Sequence, residues 1–115
     1  MSSRVDMEGI ESPVCQHFQR AAELLGKRWI PQILRALLSG STRFTELRDA
    51  IPPISDALLS DRLKQLGSEG VVTRTVLPET PVLIEYGLTE RGRDLGRVIE
   101  ELAAWAERWV DAPSQ

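Results

Sequence analysis

Ser55-Asp56-Ala57-Leu58-Leu59-Ser60-Asp61-Arg62-Leu63-Lys64-Gln65-Leu66-Gly67-Ser68-Glu69-Gly70-Val71-Val72-Thr73-Arg74-Thr75-Val76-Leu77 changes its hydrophobic period part-way along. Leu59, Leu63 and Leu66 fall at i, i+4 and i+7, one stripe of a helix, and Ser55 stands where it can cap the first turn. Gly67 and Gly70 bracket the end of that helix. Past Gly70 the residues are rich in β-branched types with period two, which predicts a strand over 71–77. Pro78-Glu79-Thr80-Pro81 makes a turn, and Val82, Ile84, Tyr86 and Leu88 alternate as a returning strand. A helix that runs straight into a hairpin is the decisive feature.

Outward from it the chain reads as helices. Upstream, Thr45 is expected to cap a brief helix through Glu46, Leu47 and Ala50, halted by Pro52-Pro53, after a short link or minimal strand at Arg43-Phe44. Trp29, Ile30, Ile33, Leu34, Leu37 and Leu38 form another stripe; Pro31 is tolerable only in a first turn, so that helix should start near Arg28. Phe18, Ala21, Ala22 and Leu25 mark a first helix that stops at Gly26. Downstream, Thr89 caps a long helix carrying Leu95, Val98, Ile99, Leu102, Trp105, Ala106 and Trp109. The expected fold is mainly α with a β-hairpin wing, a MarR-like winged helix-turn-helix that dimerises through its N- and C-terminal helices. Residues 1–12 read as a loose polar arm and 13–112 as one domain. The helix-turn-helix spans about 45–67, the wing about 71–88 and the last helix about 89–110.

Composition narrows the chemistry. The 115 residues are 42% hydrophobic and 27% charged, the balance of one folded domain. No apolar run is long enough to span a bilayer and residues 1–12 carry no secretory h-region. One cysteine and one histidine leave no disulfide framework, no zinc set and no triad. Glu100 and Glu101 are adjacent and so face apart on a helix, and no Gly-rich phosphate loop is present. An enzyme, and with it a cofactor, is therefore the poorest reading; a binding domain is the best. The net charge is −3, yet residues 17–48 hold six basic side chains against two acidic ones, and twelve of the fourteen basic residues are Arg. One positive face on an acidic chain is the simple inference.

The ordered set Ala22-Glu23-Leu24-Leu25-Gly26-Lys27-Arg28-Trp29, Ile33-Leu34-Arg35-Ala36-Leu37, Arg43-Phe44-Thr45-Glu46-Leu47-Arg48, Leu59-Ser60-Asp61-Arg62-Leu63 and Gly70-Val71-Val72 resembles the HxlR-type family of bacterial winged-helix transcription regulators. The similarity runs over about residues 15–110. It implies a cytoplasmic homodimer that binds double-stranded operator DNA, in the expected case as a repressor. It also implies that an N-terminal cysteine such as Cys15 can sense oxidants or electrophiles, its alternative being an ordinary half-buried residue.

Duplex recognition needs side chains that reach phosphates and a helix that enters the major groove. With Leu59 pointing to the core, Ala57, Ser60, Asp61, Lys64 and Ser68 project outward, and Gln65 lies to one side. Ser55 to Ala57 would bring the positive end of the helix to the groove, where Asp56 stabilises the helix but repels phosphate. Lys64 and Gln65 are the best polar contacts, and Arg62 is expected to grip backbone phosphate. Lys27, Arg28, Arg43 and Arg48 add cations on the supporting helices, and Arg74 one on the wing, where Leu83 offers none. Dimer contacts are expected from Phe18, Ala22 and Leu25 with Leu95, Ile99, Leu102, Trp105 and Trp109. A small-molecule or redox effector at that seam is a further expected partner, with Phe18, Trp29 and Trp105 as lining residues. The competing reading is a winged-helix dimer that binds protein, motivated by the acidic total, Asp56, Asp61 and Leu83.

Overall fold

The structure is a computed structural model and describes residues 14–111. The polar arm 1–12 lies outside the described residues. Five helices and one hairpin follow in the order α1 (Gln16–Gly26), α2 (Ile30–Leu38), α3 (Phe44–Ala50), α4 (Asp56–Ser68), β1 (Val72–Leu77), β2 (Leu83–Leu88) and α5 (Glu90–Trp109). The fold is the expected winged helix-turn-helix. β1 and β2 are antiparallel, with Val72 opposite Leu88 and Leu77 opposite Leu83.

The core is the set of stripes read from the sequence. Ile30, Ile33, Leu34 and Leu37 of α2 meet Leu47 of α3, Leu59, Leu63 and Leu66 of α4, and Val71 and Val72 at the entry to the wing. Ile51 and Ile54, flanking Pro52-Pro53, are buried too and seal the link between α3 and α4. Burying a Leu or Ile side chain is worth about 1.5–3 kcal/mol, so α2, with five buried residues in nine, is the central post. By contrast α1 has no buried residue; only Leu24 and Leu25 lean on the core.

Helix ends follow local chemistry, and two depart from expectation. The Ser55 hydroxyl accepts from Leu58 N–H at 3.1 Å, and the Thr89 hydroxyl accepts from Gly92 N–H at 2.9 Å. At α3, however, Thr45 lies inside the helix and Arg43 is the capping position. Its missing side-chain acceptor is replaced by Glu46, whose carboxylate accepts from the N–H groups of Thr42 (2.9 Å) and Arg43 (3.0 Å). Arg43-Phe44 is accordingly a helix start rather than a strand. A trace of sheet does survive one residue earlier, where Tyr86 N–H of β2 donates to the Thr42 carbonyl at 2.8 Å. The second departure is at Pro31, which sits in the first turn as required, but α2 begins at Ile30 behind a left-handed Trp29.

Candidate nucleic-acid interface

The exposed side of α4 carries Asp56, Ala57, Asp61, Lys64 and Ser68, close to the helical projection; Ser60 is half-buried. Two ties fix this helix to its neighbours. Arg48 Nη1 of α3 pairs with Asp56 at 3.1 Å, and that hydrogen bond, with the carboxylate's charge, holds the guanidinium above its ordinary pKa. The two helices of the motif are thus linked across their turn, and Asp56 faces a partner instead of standing as a bare anion at the helix start.

The second tie corrects an expectation. Arg62 does not reach outward for phosphate. Its Nε donates to the Arg28 carbonyl at 2.8 Å and its Nη1 to Asp61 at 2.8 Å, and only 13% of its side chain is exposed. The position three residues after Leu59 explains this, because it adjoins the core stripe rather than the solvent face. Gln65 is likewise drawn inward: half-buried, with an enclosed Oε1 that has no hydrogen-bond partner among the described residues. Lys64 alone of the expected polar readers projects freely.

Around α4 the cations fall in three places. Lys27 and Arg28 are exposed at the α1–α2 corner, with the Arg28 guanidinium over the Trp29 ring at 4.9 Å. Arg43 is exposed at the start of α3, next to the strand that Thr42 touches. Arg74 is exposed on β1, opposite Tyr86. Arg43, Lys64 and Arg74 hold no ion pair among the described residues. Glu46, which sequence reasoning did not single out, orders the Arg43 backbone; the N–H groups of Thr42 first and Arg43 second hold its carboxyl below the ordinary value. The readable signal was a Glu three residues after the capping position. The wing tip differs, with Val76 and Val82 exposed and uncharged.

A chain with 48% identity over 101 residues, 88% of this chain and 94% of its own, is the HTH-type transcriptional regulator YvaP of Bacillus subtilis. The HxlR-like helix-turn-helix family pattern matches residues 24–114. The chain belongs to the HxlR family. This makes it a helix-turn-helix transcription regulator. Another relative, the HTH-type transcriptional regulator YodB of Bacillus subtilis, is 44% identical over 98 residues, 85% of this chain and 88% of YodB. The reduced form of YodB superposes with a TM-score of 0.74 at 43% identity, covering 87% of this chain and 98% of that one; YodB has also been solved diamide-treated and quinone-bound. The redox regulator HypR in its oxidized form gives a TM-score of 0.76 at 30% identity over 82% of this chain and 97% of its own.

The residues expected at a dimer seam divide. Phe18 (59% exposed), Leu102 (52%), Trp105 (57%) and Trp109 (68%) stand out from α1 and α5, and Ala22 is exposed beside Phe18. Leu25 and Leu95 are half-buried against their own core, and Ile99, 3% exposed, belongs wholly to it. Ile99 is therefore withdrawn from the seam: on α5 it faces α2, one turn behind the Leu102–Trp105 ridge. A groove of about 790 Å³ opens between α2, Pro52-Pro53 and α5, lined by Arg35, Ile99 and Leu102 among others. Phe18, Trp29 and Trp105 do not line it.

Cys15 is half-buried and caps α1, its Sγ accepting from Phe18 N–H at 3.5 Å. No helix of the described residues is long and apolar enough to cross a membrane.

Proposed function

We propose that this regulator is a cytoplasmic homodimer that represses transcription by occupying operator DNA, with α4 in the major groove and Cys15 as its thiol sensor. The observation that carries the reading is the presentation of α4, tied at both flanks and open along Ala57, Asp61 and Lys64. Arg43, Lys27, Arg28 and Arg74 supply the phosphate contacts, Ser55 and the first N–H groups of α4 a neutral one. The two-fold is formed by the Phe18 and Trp105–Trp109 faces. A dimer doubles every cation, so a modest patch per chain suffices despite the net charge of −3.

Arg43→Ala tests the phosphate assignment. It should weaken binding to all duplexes alike and lower the salt slope by about two units per dimer, one for each copy. Fluorescence anisotropy across a salt series measures it, and an unchanged slope refutes the role. The same titration separates the competing protein-binding reading, which the exposed Val76 and Val82 of the wing favour. Absence of duplex binding at micromolar protein and low salt would establish that reading instead.

The sensing role draws on YodB, solved after diamide and with quinone, and on HypR, a redox regulator. Two Cys15 thiols, or Cys15 and a small thiol, lose two electrons and two protons to diamide and form one S–S bond; with a quinone the thiolate sulfur instead adds to a ring carbon, and the ring oxygen takes up a proton. Either change puts a bulky substituent on the sulfur that caps α1. Mild diamide should abolish operator binding of the wild type and leave Cys15→Ser unaffected, since serine retains a capping oxygen. Equal loss in both proteins would exclude this thiol.

A further inference from the structure

The α1–α2 corner has an unusual backbone. Ile30 N–H donates to the Lys27 carbonyl at 3.1 Å, closing a reverse turn over residues 27–30. Trp29 holds φ 77° and ψ −9° at the third position. With Arg28 at negative φ before it, this is a type II turn, where glycine is the ordinary occupant and the peptide after the second residue is flipped relative to type I. Here the flip turns the Arg28 carbonyl, and Arg62 of α4 meets it at 2.8 Å. In a type I corner that carbonyl would point elsewhere, leaving a mostly enclosed guanidinium short of an acceptor. A residue as bulky as tryptophan has no intrinsic reason to occupy the left-handed region. Arg62 from α4 and the stacked Arg28 guanidinium at 4.9 Å are the contacts that favour it.

We infer that Arg62 is a positioning residue: by clamping the flipped Arg28 carbonyl it sets the pose of the DNA-reading helix α4 against the α1–α2 corner. α1 bears Cys15 at its cap and Phe18 on its open face, and it reaches the core only through Leu24 and Leu25. Little core packing therefore fixes this corner from the α1 side, and the Arg62 clamp is what holds it to α4. The inference rests on the reading of α4 as the DNA-contacting helix.

The test compares wild type, Arg62→Met and Arg62→Lys on a duplex selected from a randomised pool and on poly(dI-dC), each over a salt series. Amide hydrogen exchange of Trp29 and Ile30 is followed in the same proteins without DNA. Arg62→Met keeps the stem and removes the donors. It should lose about tenfold on the selected duplex, the scale of one misread base pair, with little loss on poly(dI-dC) and an unchanged salt slope. Exchange at Ile30 should quicken. Arg62→Lys, with one donor able to reach the carbonyl, should recover most of the selectivity. A slope lowered by about two units at unchanged selectivity would make Arg62 a phosphate contact and overturn the inference. Unchanged binding and exchange with only a lower melting point would overturn it in favour of simple packing. Wild-type protein that binds neither duplex would overturn the DNA reading itself, and the inference with it.

Discussion

Trp105→Asp is expected to leave a folded monomer without tight operator binding. Trp105 is 57% exposed and absent from the core, so its own chain loses little when it changes. With Val98, Leu102 and Trp109 it forms a stripe at i, i+4, i+7 and i+11 of α5, all about half exposed or more. Covering that ridge with a second copy is what makes it worth having, because aromatic side chains bury 150–250 Å² each and anchor interfaces. An aspartate there occurs twice in a two-fold seam. An uncompensated buried charge costs about 3 kcal/mol per side, so the dimer dissociation constant should rise by about four orders of magnitude. Sedimentation should show monomer at micromolar concentration with an unchanged far-ultraviolet helix signal. The salt slope on duplex DNA should fall to about half as one protomer's cations leave the complex. A dimer of undiminished affinity would locate the seam away from α5.

That prediction uses a ridge readable from the sequence alone, and so are most elements of the fold. Core stripes on α2 and α4, the change of period at Gly70 and the capping residues Ser55 and Thr89 are local signals, and local signals agree with tertiary packing here. The site was legible only in part, for a reason visible at Arg62, Gln65 and Ile99. A helical projection assigns a side chain an angle, but at the edge of the core stripe the same angle serves a neighbour or solvent. What decides is whether another element passes there. At Arg62 the α1–α2 corner does, bringing Arg28 from 34 positions away in sequence. At Ile99 α2 does. The cap of α3 was misplaced by the opposite error: Thr45 has the residue type of a cap, but the carboxylate of Glu46 already satisfies the N–H groups of Thr42 and Arg43. The left-handed Trp29 carried no sequence signal, since glycine or asparagine would be the residue to suspect.

Gly92→Ala should be the most damaging of the small substitutions, although glycine inside a helix is ordinarily improved by alanine. The first turn of α5 passes directly over the Val71 carbonyl, where the chain leaves α4 for the wing. That carbonyl accepts from Thr89 N–H at 3.0 Å, and the Thr89 hydroxyl gives its one proton to the Gly70 carbonyl at 2.6 Å, with the Val71 oxygen 3.2 Å away. Gly92 N–H in turn donates to the Thr89 hydroxyl at 2.9 Å. A Cβ at Gly92 would collide with the Val71 oxygen and lie 3.1 Å from Leu88 Cδ2. Backbone pinned by these bonds cannot step aside as a side chain can, so α5 must lift and the Thr89 contacts must break. The cost should be about 3 kcal/mol, which lowers the melting point by about 15 °C for a domain of this size. Gly96→Ala meets only the Leu38 side chain, Cδ2 at 2.8 Å, Cδ1 at 3.4 Å and Cγ at 3.5 Å, and a leucine end can rotate; Gly26→Ala at the end of α1 meets nothing within 4 Å. Thermal melts at one protein concentration should therefore rank Gly92→Ala far below Gly96→Ala, with Gly26→Ala equal to wild type or above it. If Gly92→Ala melted within a few degrees of wild type, α5 would not rest on Val71. The junction that holds reading helix, wing and last helix in one frame would then have to lie elsewhere.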